Sequence, residues 1–508
     1  LVLRKHILVL LLVCSLIVGI GILGEAKTLV VGMHDDLAAL DPADFSHRET
    51  ESMLRQVYEG LSTYMPSREI HYELAESIEP IDDTTYEIRI REGVKFHDGT
   101  PLTAEDVAFS INRLIKPGAM AGRTSQRRGL MGPTKEAVVV DEHTVHVKLE
   151  NPWPLFPRFI PWQMIVPSTV GDGYITEPVG TGPYMFEEWV RDSHFSVSAN
   201  PNHWRGKPSI DKVVFRVIGD ESARVSALRA GEIDIATMIP VHEIPALEAD
   251  PNIEVLSVLG TRSYFLEMNV NKPPFNDVRV RQAMNYAVDI DTLIEVLYEG
   301  RATRIPFILS PQAFAYHDGL PFYEYNPEKA MQLLAEAGYP NGFEFELDVV
   351  DTHRARAEIY QAMLAVVGIN AKIRTWPTVS AMRDAWMQAK HKPAEEQRDA
   401  LLTDWGNASL DPFDIFIPKC HSDASGLGRS NYSGYSNPEV DRLLESTLTS
   451  SFDEERRAAF LKAQEIVHGD VPMVFEFVAH EIYGIRNRVK NFQPSPDGRL
   501  HLWAVDIE

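Results

Sequence analysis

The spacing of apolar positions in this chain changes several times, and each change marks an element. Thr28-Leu-Val-Val31 is a continuous apolar run of the buried-strand kind, closed by Gly32 and a polar loop to Asp41-Pro42. A helical rhythm follows through Met53, Leu54 and Val57 and stops at Gly60. Tyr86-Glu-Ile-Arg-Ile90 alternates with a period of two, which predicts a half-buried strand. Thr103-Ala-Glu-Asp106 has the form of a capping box, and Val107, Ala108, Ile111, Leu114 and Ile115 give the helix behind it one apolar face. Val138-Val-Val140 and Thr144–Leu149 read as a hairpin. Later, a helix from Asp277 aligns Val280, Ala283, Met284 and Ala287. Asn326-Pro327 and Asn437-Pro438 each pair a cap residue with a first-turn proline.

The order of elements is that of a mixed α/β chain, and 508 residues exceed one ordinary core. Two strand-like segments, Tyr264-Phe-Leu-Glu-Met-Asn269 and Met473-Val-Phe-Glu-Phe-Val478, lie far apart in sequence and suit hinge strands crossing between two lobes. The expected division is 27–268 for a first lobe, with an inserted subdomain at about 54–175, then 269–478 for a second lobe. Residues 479–508 return to the first. The Pro-rich stretch from Pro152 to Pro167 carries Trp153 and Trp162, so it reads as an ordered crossing and not as a tether.

The first residues change the picture of location. Arg4, Lys5 and His6 precede an apolar run from Ile7 to Leu23, and Gly24-Glu-Ala26 offers small residues before a cut at Lys27. This is the pattern of a secretory signal peptide over 1–26, and it predicts a periplasmic protein. Gly19-Ile-Gly21-Ile-Leu-Gly24 matches a dinucleotide fingerprint by letter, but no βαβ unit surrounds it. Val13 stands before Cys14 where a lipoprotein box needs a small residue. Loss of that segment leaves Cys420 as the single cysteine, so no intrachain disulfide is expected. The balance of 49 basic to 73 acidic residues argues against a nucleic-acid partner.

Candidate chemistry is sparse. No GxSxG or HExxH signature of a hydrolase is present, so no enzyme activity and no cofactor are implied. Cys420-His421-Ser-Asp423 contains three possible metal ligands, but adjacent residues rarely converge on one ion, and no metal is expected there.

Several blocks, taken in order, carry a resemblance. They are Arg91-Glu-Gly-Val-Lys-Phe96-His-Asp98-Gly99, Gly180-Thr-Gly-Pro-Tyr184, Asn200-Pro-Asn-His-Trp204-Arg-Gly-Lys-Pro208, Ala230-Gly231-Glu-Ile-Asp234, Phe275–Asp289 and Asn431–Asp441. Their order and spacing resemble the extracellular solute-binding proteins that serve ABC importers of dipeptides, oligopeptides and nickel. The resemblance implies a large bilobal periplasmic-binding-protein fold with an extra subdomain in the first lobe. It implies a solute enclosed between the lobes, hinge closure and delivery to an ABC permease at the inner membrane. The protein is expected to be a monomer. A ligand-sensing receptor on the same fold is the alternative.

In peptide-binding members a Trp precedes by three residues an Asp that pairs with the peptide ammonium. Here Trp405 fits and the Asp position is Ala408, which cannot neutralise a buried ammonium. Asp404 and Asp411 flank it. Free dipeptides are therefore disfavoured, whereas capped or modified peptides, glutathione-like molecules, opines, oligosaccharides and nickel chelates remain open. The expected solute contacts are Trp405, Trp376, Met33, His34, Asn269, Asn407, Asp404 and Asp411. Arg354 and Arg356 are expected on a helix surface.

Overall fold

The computed structural model describes residues 26–390, 392–423 and 426–508. The expected signal segment, apart from Ala26, lies outside the described residues.

Eleven strands form one sheet that runs through both lobes. In chain order they are β1 (Thr28–Met33), β2 (Tyr184–Val190), β3 (His194–Ala199), β4 (Lys212–Val217), β5 (Ile235–Ala236), β6 (Ile253–Met268), β7 (Ala302–Arg304), β8 (Glu344–Val350), β9 (Asn370–Trp376), β10 (Ala400–Gly406) and β11 (Met473–Arg486). The sheet order is β9-β8-β10-β6-β11-β5-β1-β4-β3-β2, with β7 also on β11. β6 and β11 are its long members. They pair antiparallel from Ile253 opposite Arg486 to Glu267 opposite Met473.

Hydrophobic cores lie on either side of this central pair. Toward β1, Leu29, Val31, Phe195 and Phe215 pack with Tyr483, Leu500 and Ile507, so both ends of the described chain share one core. Toward β10, Leu266, Met268, Leu347, Ala400, Leu402 and Phe477 share another. Phe265, Phe307, Phe416, Phe460 and Phe475 build a third on the other face of the same strands. β6 alternates between these two, because successive side chains of a strand point to opposite faces.

A further core spans positions 43–165. It is built on a four-stranded antiparallel sheet of Ala75–Asp82, Thr85–Ile90, Thr144–Leu149 and Thr134–Asp141, with the helix Ala104–Ile115 against it. The helix starts as its capping pattern predicts: the Asp106 carboxylate accepts from the Thr103 N–H at 2.9 Å and from its hydroxyl at 2.8 Å. The Pro-rich stretch is ordered. Trp153, Phe159 and Trp162 are buried in this core, and Met164 and Val166 enter the neighbouring one.

The pairing of β6 with β11 breaks register between Leu259 and Ser263. That irregularity precedes the segment from Tyr264 to Asn269 expected at the hinge, and a second register shift falls within it, between Tyr264 and Phe265. Phe265 to Met268 is uninterrupted buried strand, whereas Gly260 sits at the break. A Cβ there would stand 2.5 Å from the Ala479 carbonyl oxygen, so the two backbones approach closely only because the side chain is absent.

Candidate functional site

The end of β10 pairs with the middle of β6. Arg262 stands opposite Gly406, Ser263 opposite Trp405 and Tyr264 opposite Asp404. Beyond β10 the chain folds back on itself. The Asn407 N–H donates to the Thr261 carbonyl at 3.0 Å, the Leu410 N–H donates to the Asn407 carbonyl at 3.1 Å, and Leu410 takes a left-handed φ of 56°. The Trp405 indole N–H then donates to the Asp414 carbonyl at 2.8 Å. The stretch from Trp405 to Asp414 is thus a closed loop held at both ends.

The first lobe faces this loop with aromatic and cationic side chains. Arg68 donates to the Ala408 carbonyl. Its guanidinium lies 4.5 Å from the Tyr64 ring centroid and pairs with Asp497 at 2.5 Å. Arg158 reaches Asp453 at 3.1 Å and Asp411 at 3.6 Å. Phe413 packs edge-on against Trp153 and Phe159. A cavity of about 680 Å³ lies between the two sides, with Tyr64, Arg68 and Arg158 facing Phe314, Ser409 and Arg456.

The three acids of this loop and of β10 differ in what they hold. Asp404 is bound by Arg262 and by His353 at 3.0 Å. Burial opposes its charge, but these two partners overcome it and hold the carboxyl well below the usual range. Burial and then the Arg356 charge push His353 down, so its imidazole is neutral at pH 7 and donates a hydrogen bond. Asp411 is fully buried; Arg456 forks onto it at 2.8 and 3.0 Å, and it also accepts from the Phe413 N–H. Asp414 has no cation within ion-pair distance among the described residues. Its Oδ2 accepts from the Ser409 hydroxyl and, at 3.1 Å, from the Ser409 N–H.

Two cations lie over the Trp405 ring. Lys419 is 4.7 Å from its ring centroid and Arg383 is 4.8 Å away. Lys419 is fully buried and neutralised by Glu267 at 2.6 Å. Arg383, on the helix Val379–Ala389, has no hydrogen bond or carboxylate partner among the described residues, and its buried Nε is unpaired. Its donor fork is therefore free for an anion.

Of the expected contacts, Trp405, Asn407, Asp404 and Asp411 come together here. Both side-chain polar atoms of the fully buried Asn407 lack partners. The rest lie elsewhere. Trp376 donates to Asp348 at 2.9 Å, and Arg398 covers its ring at 4.6 Å. Asn269 lies at the far end of β6, about 20 Å from Ser263 at strand rise. Its amide donates to Gln397 at 3.0 Å and to the Arg398 carbonyl at 2.9 Å. Asn269 lines a separate cavity of about 300 Å³ with Trp386, Lys390 and Tyr432. Met33 is buried in the core of β1, and half-exposed His34 meets the Gly219 carbonyl at 3.1 Å.

Arg354 is on the helix surface as expected, paired with Glu358 at 3.0 Å. Arg356 is not. It is buried, meets Glu476 at 3.3 Å and donates to the Thr403 carbonyl at 3.0 Å. Two helical positions, roughly 200° of rotation, turn it inward beneath β10. Arg68, Arg262, Arg383 and Asp414 were not among the expected contacts. Arg383 had no motif of its own, lying on the helix that follows the strand ending at Trp376, and Asp414 had only the Asp-Pro-Phe-Asp turn.

The family described as bacterial extracellular solute-binding proteins, family 5 Middle, matches residues 69–426. Heme-binding protein A of Haemophilus influenzae is 30% identical over 489 residues, covering 89% of this chain and 87% of that protein. The glutathione-binding protein GsiB of Escherichia coli is 28% identical over 498 residues, covering 95% of each. Among solved structures, HbpA2 from Haemophilus parasuis superposes with a TM-score of 0.83 at 27% identity, over 95% of this chain and all of that one. DppA from Helicobacter pylori, in complex with the peptide STSA, does so with a TM-score of 0.79 at 28% identity, over 95% and 98%. The bilobal fold, the cleft at the strand ends and these likenesses agree: the chain belongs to the family 5 extracellular solute-binding proteins, the substrate-binding components of ABC importers.

Proposed function

We propose that this protein captures a small, peptide-like, carboxylate-bearing solute between its lobes in the periplasm and hands it to a membrane permease, with no reaction of its own. The signal-like segment 1–26 supports export, and a single chain suffices for the cleft. Glutathione is the first solute to try, because relatives that match along 95% of the chain are named for it.

One observation carries the solute class. At Ala408, where peptide binders bring an acid to a free ammonium, this protein brings its own cation: Arg68 reaches the Ala408 carbonyl from the opposite lobe. A second cation from a dipeptide amino terminus would be placed beside a guanidinium, without a carboxylate at that position to offset the repulsion. Arg383, with its free fork above Trp405, suits a solute carboxylate instead.

Calorimetric titration separates the possibilities. Reduced glutathione is expected to bind, and plain dipeptides such as dialanine are expected to show no heat. Micromolar binding of several plain dipeptides would overturn the solute class while leaving the transport role intact.

A further inference from the structure

We infer that Asp414 receives the cationic amine of the solute, a role for which position 408 holds no acid. The inference rests on the reading of the cleft given above and adds the residue that sets its amine specificity. It starts from elimination among named groups. Asp404 is saturated by Arg262 and His353. Asp411 is saturated by Arg456 and a backbone N–H, with Arg158 near. Asp414 alone of the three has no cation within ion-pair distance among the described residues. Its Oδ2 is engaged by Ser409, no hydrogen bond reaches Oδ1 among the described residues, and the residue is half-buried.

Its position is fixed and faces the other lobe. The Trp405 indole anchors the Asp414 backbone, and Ser409, which orients the carboxylate, lines the interlobe cavity. Tyr64 lines the same cavity from the first lobe, and its hydroxyl is pushed up by burial and then by the Asp414 charge, so the two groups are near neighbours across the gap. The charged groups acting on Asp414 are Asp411 and the exposed Arg429, and Tyr64, which feels the Asp414 charge, also feels those of Arg68 and Arg158. Burial, with Asp411 adding to it, raises the Asp414 carboxyl to about 6 against the bonds from Ser409. An ammonium supplied by the solute would relieve that, and would lie six residues along the loop from the position that dipeptide binders use.

The test uses reduced glutathione and its N-acetyl derivative as probes, titrated into wild-type protein and Asp414→Asn. Wild type is expected to prefer the free amine by roughly 10- to 100-fold, the range of a charge-assisted hydrogen bond. Asp414→Asn should erase the preference by weakening glutathione alone. A variant that keeps the preference overturns the assignment and leaves the cleft reading standing. Wild type that binds neither probe overturns both. Should the variant fold poorly, wild type decides alone. Its preference must shrink from about pH 7 to about pH 5, a range in which neither the carboxyls nor the amine of the probes titrate. A flat profile there overturns the assignment.

Discussion

At the scale of single residues, Trp405 shows what a side chain can do when its surroundings are already neutralised. Its indole N–H is used by the Asp414 carbonyl, and Lys419 near the ring is paired with Glu267. Arg383 is the cation near the ring that is left without a partner. Trp405→Ala removes the platform under that guanidinium and the anchor of the loop. Affinity for the transported solute should fall by two orders of magnitude or so, the usual loss for a buried aromatic anchor. The thermal midpoint should move by only a few degrees, because the residue is half-buried at a lobe surface. Unchanged affinity by calorimetry would remove Trp405 from the site. Trp405 stood out in the sequence because it fits the Trp position of a short motif, although Ala408 breaks the rest of it. Arg68, Arg383 and Asp414 did not, since they come from three places in the chain and each looks like an ordinary surface charge until the fold brings them to one loop. Asp404 and Asp411 were legible as acids, but the sequence could not reveal that Arg262 and Arg456 already occupy them.

Elements were easier to read than contacts. The capping box at Thr103, the prolines after Asn326 and Asn437, and the hairpin ending at Leu149 all form as their local chemistry requires. The hinge was harder. Tyr264–Asn269 has strand character and one register shift, between Tyr264 and Phe265, while the longer irregularity precedes it, between Leu259 and Ser263. The longer irregularity carries Gly260, the single glycine of β6. Gly260→Ala places a methyl against the Ala479 carbonyl oxygen and must push β6 and β11 apart at the break. The expected result is a weaker solute affinity with a folded protein, since each lobe keeps its own core while their mutual angle changes. Small-angle scattering should show an altered solute-induced compaction; a variant with the wild-type compaction and affinity would mean the break is mechanically irrelevant.

For the whole molecule, buried ion pairs join segments from opposite ends of the chain. Glu51 lies within 3.1 Å of Arg55, 3.5 Å of Arg127 and 2.9 Å of Arg499. Burial works against its charge, but the three guanidiniums bring its carboxyl down from 4.5 to about 2. A carboxyl depressed on folding stabilises the native state fully above its unfolded value and loses that contribution as pH falls through the folded one. This group's share of stability is therefore present above about pH 4.5 and lost on approach to pH 2. Glu51→Gln should flatten that acid limb and destabilise the protein at neutral pH by about 3 kcal/mol, because three buried cations lose their common partner. Denaturant midpoints measured across pH for both proteins would check it; parallel curves would exclude Glu51 as a source of acid sensitivity.

The antiparallel pairing of β6 with β11 has one more consequence. Everything between them departs and returns on adjacent strands, so the segment from Met268 to Met473 is a single long insertion with its two ends side by side. Such an insertion is modular. The half of the molecule that carries Trp405, Arg383 and Asp414 can be exchanged as a cassette between relatives at two neighbouring junctions. Exchange of that half alone would alter solute choice from one side of the cleft only, since Arg68 and Tyr64 of the other half line it too.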